Sequence, residues 1–250
     1  METRRDFLLK SAVGLTALCV PGLTVNAGTL ISGKSGKILL RKKDRILYQG
    51  DSITDGGRDK RMSRPNYGKG MGKGYALLSA SKILDEHPDM VLNFYNRGIS
   101  GDTIVKLKER WDTDCIALRP AVVSLLIGVN DYQVSLQATG AGDVRKFKNE
   151  YEELLQMTLD QLPKVRLVIG EPFALNGITG LTDNWKDFHT YREVAKRVAH
   201  KYRAAFIPYQ SVFEKAMRNA PAGYFSTDGV HPSLAGIYLM SQAWLATVRV

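Results

Sequence analysis

Between Arg45 and Ile207, short β-branched or aromatic runs alternate with longer stretches of helical periodicity, and this alternation narrows the fold more than any other feature. Arg45 to Gln49, Val91 to Tyr95, Val122 to Ile127, Val165 to Ile169 and Ala204 to Ile207 have strand length, and most stop near Gly or Pro. Helical stretches separate or follow them at Tyr75 to Glu86, Thr103 to Leu118, Val144 to Leu162, Asn184 to Tyr202 and Pro232 to Thr247. In the fourth, Trp185, Phe188, Tyr191, Val194 and Val198 recur at three- and four-residue spacing, which makes one apolar face and reads as core. Pro232 would stand in the first turn of the last helix, where a missing N–H costs nothing. Strand and helix in alternation imply parallel strands with right-handed crossovers. The expectation is an α/β fold: a single three-layer α/β/α domain with a five-stranded parallel sheet and ligands at the strands' carboxyl ends. The 250 residues suffice for one such domain, and no internal repeat or interdomain linker interrupts them.

The first 27 residues read as an address rather than as structure. Thr3 to Lys10, with Arg4 and Arg5 paired, resembles a twin-arginine export signal ahead of the apolar run Ala12 to Val20. Val25-Asn26-Ala27 offers small residues where a signal peptidase cuts, so an exported chain starting at Gly28 is expected; Leu18 before Cys19 disfavours lipidation. Residues 28 to 44 form an approach segment, leaving 45–250 as the domain. Without Cys19 the chain has one cysteine, Cys115, which allows no internal disulfide and suits a small core residue. No His or Cys pair has metal-ligand spacing, so no metal is expected. The net charge of +10 draws on Arg58, Lys60, Arg61, Arg64, Lys69 and Lys73, all in one glycine-rich stretch. No nucleic-acid-binding pattern accompanies them, so a solvated basic loop is expected rather than a nucleic-acid partner. No mature stretch is long and apolar enough for a membrane span, and self-association is left open.

Four strings then follow in order, each just past a strand or heading a helix: Gly50-Asp51-Ser52, Gly98-Ile99-Ser100-Gly101, Gly128-Val129-Asn130-Asp131 and Asp228-Gly229-Val230-His231. Taken alone, Asp51 or Ser52 fits a helix N-cap, and the Gly- and Asn-bearing loops fit turn chemistry. Together they supply a turn-borne nucleophile, oxyanion donors, and a base with its orienting carboxylate. Among the histidines, His87, His189 and His200 sit in or at the ends of helical stretches. Only His231 has an acid, Asp228, three residues earlier in a loop, where one turn can hold both. The Gly-x-Ser-x-Gly elbow is absent, which argues against the α/β-hydrolase fold.

From about Asp44 to the C-terminus these strings resemble the SGNH hydrolases, the GDSL lipase/esterase family, whose fold is flavodoxin-like. The resemblance implies a Ser52, His231, Asp228 triad and an oxyanion hole made of the Ser52 and Gly101 N–H groups and the Asn130 amide. Gly50 to Arg58, Gly74-Tyr75, Asn96 to Gly101, Leu107 to Trp111 and Asp228 to Ser233 are similar to bacterial acetylxylan and xylo-oligosaccharide acetyl esterases. That implies an acetylated oligo- or polysaccharide substrate and no cofactor. Asp51, Tyr75, Tyr132 and Gln133 are the candidate sugar contacts, with Tyr67 a further aromatic in the loops. The basic stretch Arg58 to Lys73 and Tyr132-Gln133 depart from the pattern. The alternatives are a lipase or lysophospholipase, disfavoured by the lack of a long apolar lid, and a non-catalytic protein that binds anionic glycan, which would have lost a catalytic group.

Overall fold

The computed structural model describes residues 36–178, 182 and 185–250. The segment 1–27 read as an export signal, and residues 28–35 of the approach segment, lie outside them. The strands are β1 (Ile38–Leu39), β2 (Arg45–Gly50), β3 (Asn93–Asn96), β4 (Val122–Leu126), β5 (Arg166–Gly170), β6 (Ala205–Ile207) and β7 (Val248–Arg249). Five of them form one parallel sheet in the order β3-β2-β4-β5-β6, while β1 and β7 pair parallel beside it. The helices are α1 (Ser52–Asp55), α2 (Gly68–Met71), α3 (Tyr75–Glu86), α4 (Ile104–Glu109), α5 (Trp111–Asp114) and α6 (Val129–Thr139). They continue with α7 (Val144–Gln161), α8 (Phe188–Lys201), α9 (Tyr209–Ala216), α10 (Ala222–Phe225) and α11 (Leu234–Thr247).

The central strand β4 is buried at every position, as a strand covered on both faces must be. Successive residues point to opposite faces, and two tryptophans show what covers each. On one face Tyr48 shares a 2.7 Å hydrogen bond with Ser79 of α3, and its register partner Ser124 accepts from the Trp244 indole of α11 at 3.0 Å. On the other, Gln49 donates to the Asp114 carbonyl of α5, whose Trp111 donates to Thr158 of α7 at 2.9 Å. The helices α3, α9 and α11 pack together, as do α4, α7 and α8, which completes three layers. Cys115 is fully buried in the core, as expected of it.

The departures from expectation are local. The helix expected over Thr103 to Leu118 is three pieces, α4, α5 and a 3-10 turn at Ile116–Leu118, broken at Cys115 and, before it, at Arg110, which leaves helical geometry at φ −114° and ψ 7°. Its guanidinium is held there by Asp102 and Asp114 and by the Arg97 carbonyl, at 2.7–2.8 Å. Strand β3 starts two residues later than expected, since Val91 takes a left-handed turn with φ 52°. Helix α8 begins at Phe188, after a turn in which Trp185 N–H donates to Thr182; Asn184 lies outside the described residues. Ser233, not Pro232, heads α11: its side chain caps the Gly236 N–H, while Pro232 forms an antiparallel bridge with Ser226. Two longer helices, α6 and α9, and the short α2 and α10 were not anticipated. The basic stretch is not simply a solvated loop, because Arg58 is buried and donates its Nε–H to the Gly98 carbonyl at 2.8 Å.

Candidate active site

Strand β2 delivers the chain to the sheet's carboxyl edge at Gly50, and α1 starts two residues later at Ser52. Asp51 caps that short helix, its Oδ1 accepting from the Ile53 N–H at 3.0 Å. The site sits where the connections diverge, since β2 leads outward to β3 while the next strand, β4, returns on the other side of β2. Such a switch point leaves a crevice between the outgoing loops.

Two of the four strings meet directly at Ser52. His231 Nε2 lies 2.8 Å from Ser52 Oγ, and Asp228 Oδ2 lies 2.6 Å from His231 Nδ1. The other oxygen, Asp228 Oδ1, accepts from the N–H groups of Val230 at 2.9 Å and His231 at 2.7 Å, so the carboxylate folds its own loop. The stem of that loop is closed by the Ser226 and Pro232 bridge and by Ser226 Oγ donating to the His231 carbonyl at 2.8 Å. Partial burial pushes the Asp228 carboxyl up, but the bonds from the His231 ring and the two N–H groups outweigh it and hold it below the ordinary carboxylate value. It is therefore an anion at neutral pH, facing an imidazole whose far nitrogen touches a hydroxyl.

The other two strings build the neighbouring loop. Gly101 has φ 82°, a conformation that favours glycine, and a Cβ there would meet nothing within 4 Å, so the space beside it is open. No described group accepts from the N–H of Gly101 or of Ser52. Asn130, in the first turn of α6, gives one amide N–H to the Asp102 carbonyl at 2.9 Å, leaving the second free. Asp131 Oδ1 accepts from the Ile104 N–H at 2.9 Å, which ties α6 to the far end of the same loop. Asp51 Oδ2 and Asp131 Oδ2 are inaccessible and unpaired. Burial, helped by nearby carboxylates, pushes both of these groups up to about 7.

Three expected sugar contacts are not at the surface. Asp51 and Tyr75 are each 1% exposed; the Tyr75 hydroxyl bonds Thr54 at 3.1 Å in the core. Tyr132 is equally buried, edge-on to Trp185, Phe188 and Tyr191. An aromatic or acidic residue beside a catalytic string in sequence can as well brace the strand end from beneath. Gln133 is half-buried in α6, and Tyr67 lies half-buried under the Arg64 guanidinium, 4.2 Å from its ring centre. What the sequence reading missed is an apolar patch on the stem of the histidine loop. Tyr224, Leu234 and Tyr238 are 62%, 81% and 60% exposed around Leu78 and Leu239. Only Pro232 and Ser233 separate His231 from Leu234, and the Ser233 hydroxyl anchors Tyr224 by its carbonyl at 2.6 Å. Among the described residues no His, Cys, Asp or Glu cluster could hold a metal ion, and no helix is long and apolar enough to cross a membrane.

Residues 49–237 match the GDSL-like Lipase/Acylhydrolase family, a span that contains all four strings. The chain belongs to that family. An acetylxylan esterase from Geobacillus stearothermophilus is 29% identical over 207 residues, covering 82% of this chain and 94% of that enzyme. A protein from Parabacteroides merdae described as a GDSL-like lipase superposes with a TM-score of 0.81 at 41% identity, over 84% of this chain and 98% of that one. The Geobacillus acetylxylan esterase Axe2 superposes at 0.73 with 27% identity, over 83% and 95%. In Axe2, variants of one serine, one aspartate and one histidine are described as catalytic mutants. The chain thus has the SGNH fold, a five-stranded parallel sheet between helices, and is a hydrolase of the GDSL esterase family.

Proposed function

We propose that this GDSL hydrolase is a serine esterase that removes acetyl groups from carbohydrate, with acetylated xylan or its oligosaccharides as substrate. The observation that carries the reading is the unbroken chain Ser52 Oγ, His231, Asp228, with contacts of 2.8 and 2.6 Å. In this reading His231 takes the Ser52 proton as Oγ attacks the ester carbonyl, and Asp228 holds the ring and balances its charge. The developing oxyanion takes hydrogen bonds from the N–H groups of Ser52 and Gly101 and from the second amide N–H of Asn130. His231 then gives its proton to the departing sugar hydroxyl, and a water activated by the same nitrogen releases acetate. No cofactor enters any step. The likeness to acetylxylan esterase, and the serine, aspartate and histidine described as catalytic there, support the assignment. Export fits a polysaccharide substrate and rests on the paired Arg4 and Arg5; the N-terminal sequence of the secreted chain, expected to start at Gly28, tests it.

A lipase-type activity has one observation in its favour, the exposed patch of Tyr224, Leu234 and Tyr238 on the histidine loop's stem. An acyl-chain series separates the readings. An acetyl esterase cleaves p-nitrophenyl acetate readily and the octanoate hardly at all, and releases acetate faster from acetylated xylo-oligosaccharides than from simple alkyl acetates. Preference for octanoate would replace the carbohydrate reading with the lipase.

A further inference from the structure

The loop that carries Gly101 is fastened to the helix that carries Ser52 by a side chain outside the four strings. Asp55, the last residue of α1, is 3% exposed, and both its oxygens are used. Oδ1 accepts from the Arg58 N–H at 3.0 Å, and Oδ2 accepts from Ser100 twice, from N–H at 3.0 Å and from Oγ at 3.1 Å. Lys60 Nζ stands 3.9 Å from the same Oδ2. Arg58, turned inward from the basic stretch, donates Nε–H to the Gly98 carbonyl at 2.8 Å, so α1 and the residues just after it grip the loop at two points. The fit is close: a Cβ on Gly98 would stand 2.4 Å from the Asp55 backbone nitrogen. On the opposite side Asn130 and Asp131 hold Asp102 and Ile104, so the short segment around Gly101 is pinned at both ends.

We propose that Asp55, with Arg58, is a positioning residue for the reaction: it sets the distance between Ser52 Oγ and the Gly101 N–H. The inference rests on the reading of Gly101 as an oxyanion donor. Its physical basis is that Ser100 N–H and Gly101 N–H belong to consecutive peptides, so a carboxylate gripping the first orients the second. A donor displaced by about 1 Å loses most of its preference for the transition state, a cost on the order of 10²-fold in rate. An amide cannot replace this carboxylate, because one of its two positions would present a donor to a donor.

The test counts active sites before measuring rates. Asp55→Asn, Arg58→Ala, Arg58→Lys and Asn130→Ala are titrated with a stoichiometric fluorophosphonate, and kcat and KM for p-nitrophenyl acetate are expressed per titrated site. The expected result for Asp55→Asn is a fall in kcat of roughly 10- to 100-fold per site with KM within about twofold. Arg58→Ala should show a smaller fall that Arg58→Lys, which keeps a donor for Gly98, partly restores. Full kcat per titrated site in Asp55→Asn, with only fewer sites or a lower Tm, would make Asp55 structural and overturn the proposal. Loss of rate in Asn130→Ala alongside that result would leave the oxyanion reading standing. An unchanged Asn130→Ala would instead overturn the reading itself. Should Asp55→Asn fail to fold, Ser100→Ala, which removes only the Oγ bond, carries the same comparison, with a fall of about threefold or more expected and none overturning it.

Discussion

Ser52, Gly101 and Asn130 are asked to do different things, and their variants should separate accordingly. The Asn130 amide meets charge that exists only in the transition state, so Asn130→Ala should lower kcat by about 10²- to 10³-fold with KM little changed. Steady-state kinetics on p-nitrophenyl acetate checks this; a pure KM effect would make Asn130 a substrate contact. Asp51 makes a stability prediction. Burial raises its pKa from 3.8 to about 7, and Oδ2 has no partner. A group whose folded-state value lies above its unfolded one contributes stability that is complete below the unfolded pKa and lost as pH rises through the folded one. Asp51→Asn keeps the acceptor for the Ile53 N–H and cannot ionise. Between pH 5 and 8 its Tm should therefore move in the variant's favour by roughly 4–8 °C relative to the parent, on the order of 2 kcal/mol. Parallel Tm curves over that range would contradict the buried, proton-holding carboxyl.

Among the elements, what was legible in the sequence depended on how strongly each one was periodic. Helices α3 and α7 were readable almost to the residue because their apolar faces repeat at helical spacing. Helix α6 was not, because Val129 to Thr139 is mostly polar and starts inside a catalytic string, where turn chemistry competes for the same residues. Helix α9 left a fainter signal, Tyr209 and Phe213 four apart, which a shorter window would have found. The break at Arg110 could not be read locally, since besides Asp114 it answers to the Asp102 carboxylate and the Arg97 carbonyl, which lie before the helical stretch. The candidate site divides likewise. Ser52, Asp228 and His231 stand in short strings whose spacing is itself chemical, whereas burial moved Asp51, Tyr75 and Tyr132 from the expected surface to the core. At this scale Thr158→Val is informative, because it keeps shape and leaves the fully buried Trp111 N–H without an acceptor. Urea denaturation should show a loss of about 1–3 kcal/mol, and no loss would mean that this α5 to α7 contact is not what secures α5.

For the whole molecule, the strand order makes the site almost obligatory. The sheet runs β3-β2-β4-β5-β6, so the loops after β2 and β4 leave in opposite directions and open the crevice in which Ser52 and Asn130 stand. The histidine loop arrives from after β6, closed at its stem, to bring its imidazole onto that crevice. Fold and activity should therefore separate, since Ser52 contributes a half-exposed hydroxyl and little packing. The most direct measurement is acetate release from acetylated xylo-oligosaccharides by the parent and by Ser52→Ala, both at the same Tm. A loss of about 10⁴- to 10⁶-fold in kcat is predicted. Comparable acetate release by the two proteins would contradict Ser52 as the nucleophile.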